Sequence, residues 1–312
     1  MTASAGSGAA DPRCLLLVAP SPRLAAAATE AGFRVVTVAD TAGFTDEDLR
    51  AHLRNTVLTH QVDRLVACGE ASTHPAVLET AEELGVSPNP ASASRLLADA
   101  AEVRNLLNRS GPAWQALALP DETEKRPPLR DVGYGVETLT VEGMHRVTGI
   151  VEFRFGDGSA TTLGADLAVH TFPAPITAAE EAEIRALATG LLDLVGYEFG
   201  YAFIRVARTE QGLRLMDAVP RQASWPVSRL IELTTGLVAE RELIRALSGK
   251  PLKAAMPVGC AAALPLSDPP GAPGRITAPT DVREARDGYV LLTALTPAEL
   301  AARTAAVRGC PA

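Results

Sequence analysis

The sequence predicts an α/β protein with a parallel lobe followed by an antiparallel α+β lobe. Three observations carry this. First, three short apolar runs, Cys14 to Ala19 (CLLLVA), Arg34 to Ala39 (RVVTVA) and Arg64 to Cys68 (RLVAC), are each followed by a helical stretch, the pattern of βαβ units in a parallel sheet. Second, from Gly133 to Gly158 and from Gly196 to Val219 apolar residues recur in short runs separated by Gly-bearing turns, as in antiparallel hairpins. Third, 47% of the 312 residues are hydrophobic, which supports a core large enough for two lobes.

Taken in order, the first strand leads into a small-residue helix from Pro22 to Ala31, closed by Gly32. The second precedes an amphipathic helix from Asp46 to Gln61, whose Leu49, Leu53, Val57 and Leu58 recur at helical spacing. The third ends at Cys68-Gly69-Glu70, before a helix from Ala76 to Leu84. Right-handed crossovers between these strands give a three-layer Rossmann-like lobe. Ala19-Pro20-Ser21-Pro22 stands where a dinucleotide fold carries its glycines, which argues against a dinucleotide site. A charged, Pro-interrupted loop is expected from Pro120 to Arg130. The stretch GVETLTVEGMHRVTGIVEFRFGDG reads as two or three antiparallel strands, with turns at Glu142-Gly143 and Gly156-Asp157-Gly158. Thr177 to Val195 is a helix, with Thr177 as N-cap, Glu180 completing a capping box, and Ile184, Leu187, Leu191, Leu192 and Val195 forming its apolar side. Ala202 to Arg208 and Leu213 to Val219 form a hairpin about Glu210-Gln211-Gly212, and period-two alternation puts Asp217 on the face of Leu213, Leu215 and Val219. Pro226 to Gly249 is two helices or one broken at Thr234-Thr235-Gly236. Strands at Ala261 to Leu266 and Tyr289 to Thr293, a Pro/Gly-rich linker from Ser267 to Gly274 and a closing helix from Thr296 to Val307 complete the chain.

Composition narrows the function. A net charge of −8 and a pI near 5.3 argue against a general nucleic-acid surface. No apolar run approaches the roughly 20 residues of a membrane span, and Met1 to Pro12 lacks the charge and apolar core of a signal peptide. The four cysteines, Cys14, Cys68, Cys260 and Cys310, show neither paired nor zinc spacing. These features favour reduced thiols and a cytoplasmic location. Only Lys125, Lys250 and Lys253 are lysines, a bias read as base composition.

Two segments, AVHTFPAPI (168–176) and GLRLMDAVPR (212–221), carry a resemblance to the ATP-grasp carboxylate–amine ligases, especially those that join amino acids and small peptides. At the level of pattern it covers most of residues 13 to 310. The resemblance implies a Rossmann-like lobe at 13–95, a helix and shortened linker at 96–130, and an ATP-grasp-like α+β lobe with an antiparallel sheet at 131–312, and it matches Asn89 to Gly111 to the family's helix before its nucleotide lobe. It places the family's metal-binding acids at Arg205 and Asp217, its metal-binding Asn at Val219 and its substrate-facing Arg at Arg221. Hard cations need several oxygen ligands, and only Asp217 and Arg221 keep the family's chemistry, so no metal and no cofactor are expected. The family's nucleotide lid, with its lysines and phosphate loop, has no counterpart between Leu119 and Gly133. By the same resemblance His170 lies beside the amino-acid substrate, with Leu167 where the family has an acid and Asp166 next to it.

The expectation is therefore a degenerate, truncated relative in small-molecule biosynthesis that does not use ATP and either binds a carboxylate-bearing, amino-acid-like or peptide-like ligand through Arg205, Arg221, His170 and Trp225 or acts ATP-independently. Arg221, Asp217 and His170 are the candidates for catalysis. The partner expected is a second copy or a paralogous ligase, with no nucleic acid and no membrane. Two alternatives stand: an active ATP-dependent ligase with an abbreviated site, and a non-catalytic subunit of an active ligase. Each residue also has a plain structural reading. Asp217 and Arg221 would be a structural ion pair at a strand end, Arg205 an Arg on a solvated strand face, His170 a hydrogen-bonded structural His, and Trp225 a packed aromatic, whereas in the functional reading Arg205 pairs with Asp217 in the metal's place or binds an anion. His52, His60, His74 and His145 are expected at the surface. Ser224 and Ser228 lack a nucleophile elbow.

Overall fold

A computed structural model describes residues 13–118, 129–155, 167–254, 256–265, 283–286 and 288–308. It is an α/β structure with a parallel sheet and a large antiparallel sheet.

The N-terminal lobe contains β1 (Cys14–Val18), α1 (Pro22–Glu30), β2 (Arg34–Val38), α2 (Asp46–His60), β3 (Arg64–Ala67) and α3 (Pro75–Glu83). The strands form a parallel sheet in the order β2-β1-β3. Helix α1 starts where Ser21 accepts the Leu24 amide, and α2 where Thr45 accepts that of Asp48, both N-caps of the usual kind. Leu49, Leu53 and Val57 of α2 are buried against the sheet, whereas Leu58 is 70% exposed. The helical period carries that fourth apolar residue past the edge of the buried stripe.

The helix expected within 89–111 is two helices, α4 (Ala91–Ala98) and α5 (Ala100–Arg109). Asp99 has extended backbone and accepts the Ala101 and Glu102 amides. Its carboxylate competes successfully with the helix for those donors. Helix α6 (Pro112–Gln115) follows, and the next described element is β4 (Leu129–Val141), which starts inside the expected loop.

The large sheet adds β5 (Met144–Phe155), β6 (Leu167–Phe172), α7 (Ala178–Val195), β7 (Phe199–Thr209), β8 (Gly212–Val219), α8 (Val227–Thr235), α9 (Ala239–Leu247), β9 (Cys260–Pro265), β10 (Glu284–Arg286), β11 (Tyr289–Ala294) and α10 (Pro297–Arg308). Its eight strands are antiparallel, in the order β10-β11-β9-β6-β5-β4-β7-β8. The short β10 is an addition to the elements predicted. Helix α7 begins with the Thr177–Glu180 capping box. It lies on one face with α4 and α5, over Val136, Ile150, Ile204, Val206, Leu213, Leu215 and Ala218. Helix α8 lies on the other face, over Val151, Phe153, Phe172 and Ala261.

Helix α9 joins the lobes. Its Leu243, Ile244 and Leu247 pack with Leu15, Leu17, Leu24 and Ala28. The N-terminal sheet thus has α2 and α3 on one side and α1 with α9 on the other. Asn89 adds polar links, accepting the Glu198 and Phe199 amides at 2.8 Å and donating to the Phe199 carbonyl at 2.6 Å.

Candidate functional site

The site residues sit on the α8 face of the large sheet and in the cleft beside it. Register decides which side chains share that face. Arg205 pairs with Asp217 but the neighbouring Val206 pairs with Leu215, so Met216 is an extra residue, a β-bulge. The bulge turns Asp217 away from the face of Leu213 and Leu215, which enter the α7 core together with Ala218. The expected shared face is therefore corrected: Asp217 lies opposite those leucines.

There it meets Arg205. The guanidinium Nε donates to Asp217 Oδ1 at 2.8 Å, and Nη2 donates to Oδ2. Both groups are partly buried. The bidentate geometry matches a planar fork to a carboxylate, and Asp217 holds the Arg205 charge firmly, its hydrogen bond raising the guanidinium above its ordinary value.

His170 belongs to an aromatic group farther along the same face. In register, Gly133 faces Phe153, and Phe153 faces His170. The imidazole lies edge-on to the rings of Phe153 and Tyr289, at centroid distances of 4.9 and 5.4 Å, and Trp225 stands 5.7 Å from Tyr289. His170 Nδ1 and Nε2 and Trp225 Nε1 are buried without hydrogen-bond partners among the described residues. Burial lowers the imidazole to about 4, so His170 is neutral near pH 7. The hydrogen-bonded structural His expected as its plain reading is thus not what stands here. Phe153 and Phe203 close over Gly135, where an added Cβ would lie 2.6 and 2.5 Å from their Cζ atoms.

Arg221 lies elsewhere. It lines a cleft of about 490 Å³ between the lobes. One wall comes from the C-terminal ends of the parallel strands, with Ser21, Cys68 and Ser72; another from Asn89; a third from the 220–224 loop and Glu240 of α9. The outer ends of β1 and β3, where strand order reverses, form the crevice that open α/β sheets offer to ligands. Arg221 is exposed, and its side chain has no hydrogen-bond or ion-pair partner among the described residues. His170, Arg205, Asp217 and Trp225 do not line this cleft. The convergence expected of the site residues thus splits into a cleft with Arg221 and a sheet face with the others.

Comparison with solved structures places this arrangement. An L-amino acid ligase from Bacillus licheniformis matches with a TM-score of 0.74 at 14% identity, covering 95% of this chain and 97% of that one. A phosphoribosylglycinamide synthetase from Anaerococcus prevotii matches with a TM-score of 0.66 at 9% identity, covering 95% and 98%. The biotin carboxylase of Campylobacter jejuni, in complex with a nucleotide, matches with a TM-score of 0.62 at 10% identity, covering 94% and 90%. The chain has an ATP-grasp-like fold. No protein-family model and no curated protein matches the sequence.

Within this ATP-grasp-like fold, several residues of the site region escaped sequence reasoning. Glu137 of β4 is 2% exposed and accepts the Ala223 amide at 3.1 Å; a carboxylate inside an apolar strand run was its only signal. Glu240 faces the cleft and is 3.9 Å from Arg23. His145, expected at the surface, has a side chain only 4% exposed, with Nδ1 2.8 Å from the Thr140 hydroxyl and Nε2 3.2 Å from Asp193. Turn geometry explains it: β4 and β5 pair Thr140 with His145 directly. Cys68 is pushed up to about 12 by burial, which leaves the thiol unreactive. Among the described residues, no group of three or more His, Cys, Asp or Glu could hold a metal ion, and no helix is long and apolar enough to cross a membrane. Residues 1–12 and 119–128, the Gly156 turn, Asp166, the 267–274 linker and Cys310 lie outside the described residues, as does the side chain of Leu167.

Proposed function

We propose that this chain uses an ATP-grasp-like fold, without its nucleotide lid, to bind an amino-acid-like or peptide-like ligand bearing a carboxylate, and that it does not carry out ATP-dependent ligation. The observation that supports this best is the Arg205–Asp217 pair. By the resemblance, Asp217 is a metal-binding carboxylate of the ligases. Here both its oxygens are taken by a guanidinium, which puts a positive charge on the protein where the ligases hold a cation. Acyl-phosphate chemistry rests on electrostatic stabilisation of the transferred phosphoryl by metal and basic side chains. An Arg–Asp pair is fixed and self-neutralising, so it offers little to a triphosphate. The thirteen residues 116–128 between α6 and β4 are also few for a lobe of several strands.

Arg221 supports the ligand class. A guanidinium without a partner in a cleft is a ready fork for a carboxylate. Glu240 in the same cleft offers a counter-charge for an ammonium, so the lining suits a zwitterion. His170 and Trp225, with unpartnered nitrogens on the sheet face, form a second, drier contact region for a larger peptide-like ligand. The neutral His170 is suited there to hydrogen bonding and not to charge. In this reading the protein acts in the cytoplasm as a homodimer or beside a paralogous ligase, the half-exposed edge strand β2 being a surface that a partner would cover.

Two measurements test the reading. Calorimetry with magnesium and ATP is expected to show no heat, and micromolar binding would restore the active-ligase alternative. A thermal-shift screen with the twenty L-amino acids and their alanyl dipeptides is expected to give stabilisation that Arg221→Ala removes. A hit untouched by that substitution would place the ligand elsewhere.

A further inference from the structure

We propose that Glu137 is a positioning residue for the cleft: its carboxylate holds the 220–224 loop, and Arg221 with it, through the Ala223 amide, and proton uptake by Glu137 loosens that hold. The proposal deepens the reading of Arg221 as the ligand's anchor and rests on it.

The geometry begins with a second bulge. Glu137 of β4 faces Gly149 of β5, but the next residue, Thr138, faces Val147. Thr148 is therefore the extra residue. Its hydroxyl donates to Glu137 Oε1 at 3.1 Å and to the Glu137 carbonyl at 3.2 Å. Oε2 accepts the Ala223 amide at 3.1 Å. Ala223 is buried in the core under α8, two residues beyond the exposed Arg221. One carboxylate thus ties the floor of the sheet to the loop that forms the cleft wall.

No cation balances this carboxylate among the described residues. Glu240 of α9 faces it with like charge. Tyr201 of β7, which feels the Glu137 charge, donates its hydroxyl to the Ala239 carbonyl. Glu242 of α9 accepts the Lys253 amide and lies 3.7 Å from Arg245. Arg146 of β5 donates to the Leu252 carbonyl. Two neutral donors are all that compensate Glu137, and burial pushes it up to about 7. A buried carboxylate held by an amide makes a charge-assisted hydrogen bond. Once protonated, the group becomes a neutral acid and a weaker acceptor. The loop is then held more loosely, by its apolar contacts and by backbone bonds such as that of the Arg221 amide to the Val219 carbonyl.

The test follows the Ala223 amide by NMR-detected hydrogen exchange in the full chain, corrected for intrinsic rates, between pH 6 and 8. Protection at Ala223 is expected to rise about tenfold across that range relative to the core-strand amides of Val136 and Ile204, which follow global stability and do not rise. In Glu137→Gln the rise is expected to vanish. A flat wild-type profile, or the same rise in Glu137→Gln, would overturn the proposal. If that variant does not fold, the wild-type profile against the core amides decides alone. Arg221→Ala is expected to leave the Ala223 profile unchanged. If no amino acid or dipeptide binds but Ala223 behaves as expected, the ligand reading fails and the loop mechanism stands. If a ligand binds through Arg221 with Ala223 protection flat in pH, the reverse holds.

Discussion

His170 and Glu137 are buried on the same sheet face with opposite demands on protons. His170 is held down at about 4, below its ordinary 6.5. An imidazole depressed in the fold contributes stability that is present above 6.5 and lost as pH falls towards 4. Glu137 is raised from 4.5 to about 7, so its contribution is full below 4.5 and lost as pH rises through 7. Between about pH 4.5 and 6.5 the two slopes oppose, each on the order of 3 kcal/mol over its span. Urea midpoints of the wild type are therefore expected to vary little in that window. In Glu137→Gln the midpoint should fall as pH drops from 6.5 to 4.5, and in His170→Leu it should rise. Parallel behaviour of all three proteins would refute this pairing. Neither residue's setting was legible in the sequence beyond its type. His170 stands in a polar-looking AVHTF run, and only pairing with Phe153 and Tyr289 shows how apolar its surroundings are.

At the scale of the element, strands and helices were legible because their periods are local, and the departures come from single residues that break a period. Asp99 splits one helix into two. Met216 and Thr148 each insert an extra residue into a ladder, and every side chain beyond the bulge changes face. That is why Asp217 was assigned to the leucine face when it lies with Arg205. Gly135 shows what such strands demand. It sits mid-strand in β4, opposite Val151 and Arg205, and a glycine there signals close approach. Gly135→Ala would drive a Cβ into Phe153 and Phe203 from both neighbouring strands. Denaturant unfolding should show a loss of about 1–3 kcal/mol, with Trp225 fluorescence altered as the ring group shifts. Unchanged stability and fluorescence would mean that the rings move aside freely.

At the scale of the whole molecule, the two-lobed α/β plan was legible, but the dependence of one lobe on the other was not. Amphipathicity marks α9 as a surface helix; it does not say whose surface. Only the packing of Leu243, Ile244 and Leu247 on Leu15, Leu17 and Leu24 gives it to the first lobe, with Arg23–Glu232 and Arg241–Glu30 bridging the same seam. A fragment of residues 13–95 should therefore lack a cooperative unfolding transition, and adding a synthetic 239–249 peptide should not fully restore one, because Asn89 would still lack its β7 partners. A sharp thermal transition in the isolated fragment would contradict this. Synthesis adds a consequence in time. The strands of the first lobe leave the ribosome between 172 residues (from Ala67 of β3) and 221 residues (from Val18 of β1) before α9 begins at Ala239. At typical elongation rates the gap is on the order of ten seconds or more. Through that interval the part of the leucine-rich sheet face that α1 leaves bare waits uncovered on the nascent chain, a substrate for a holding chaperone until its own distant helix arrives.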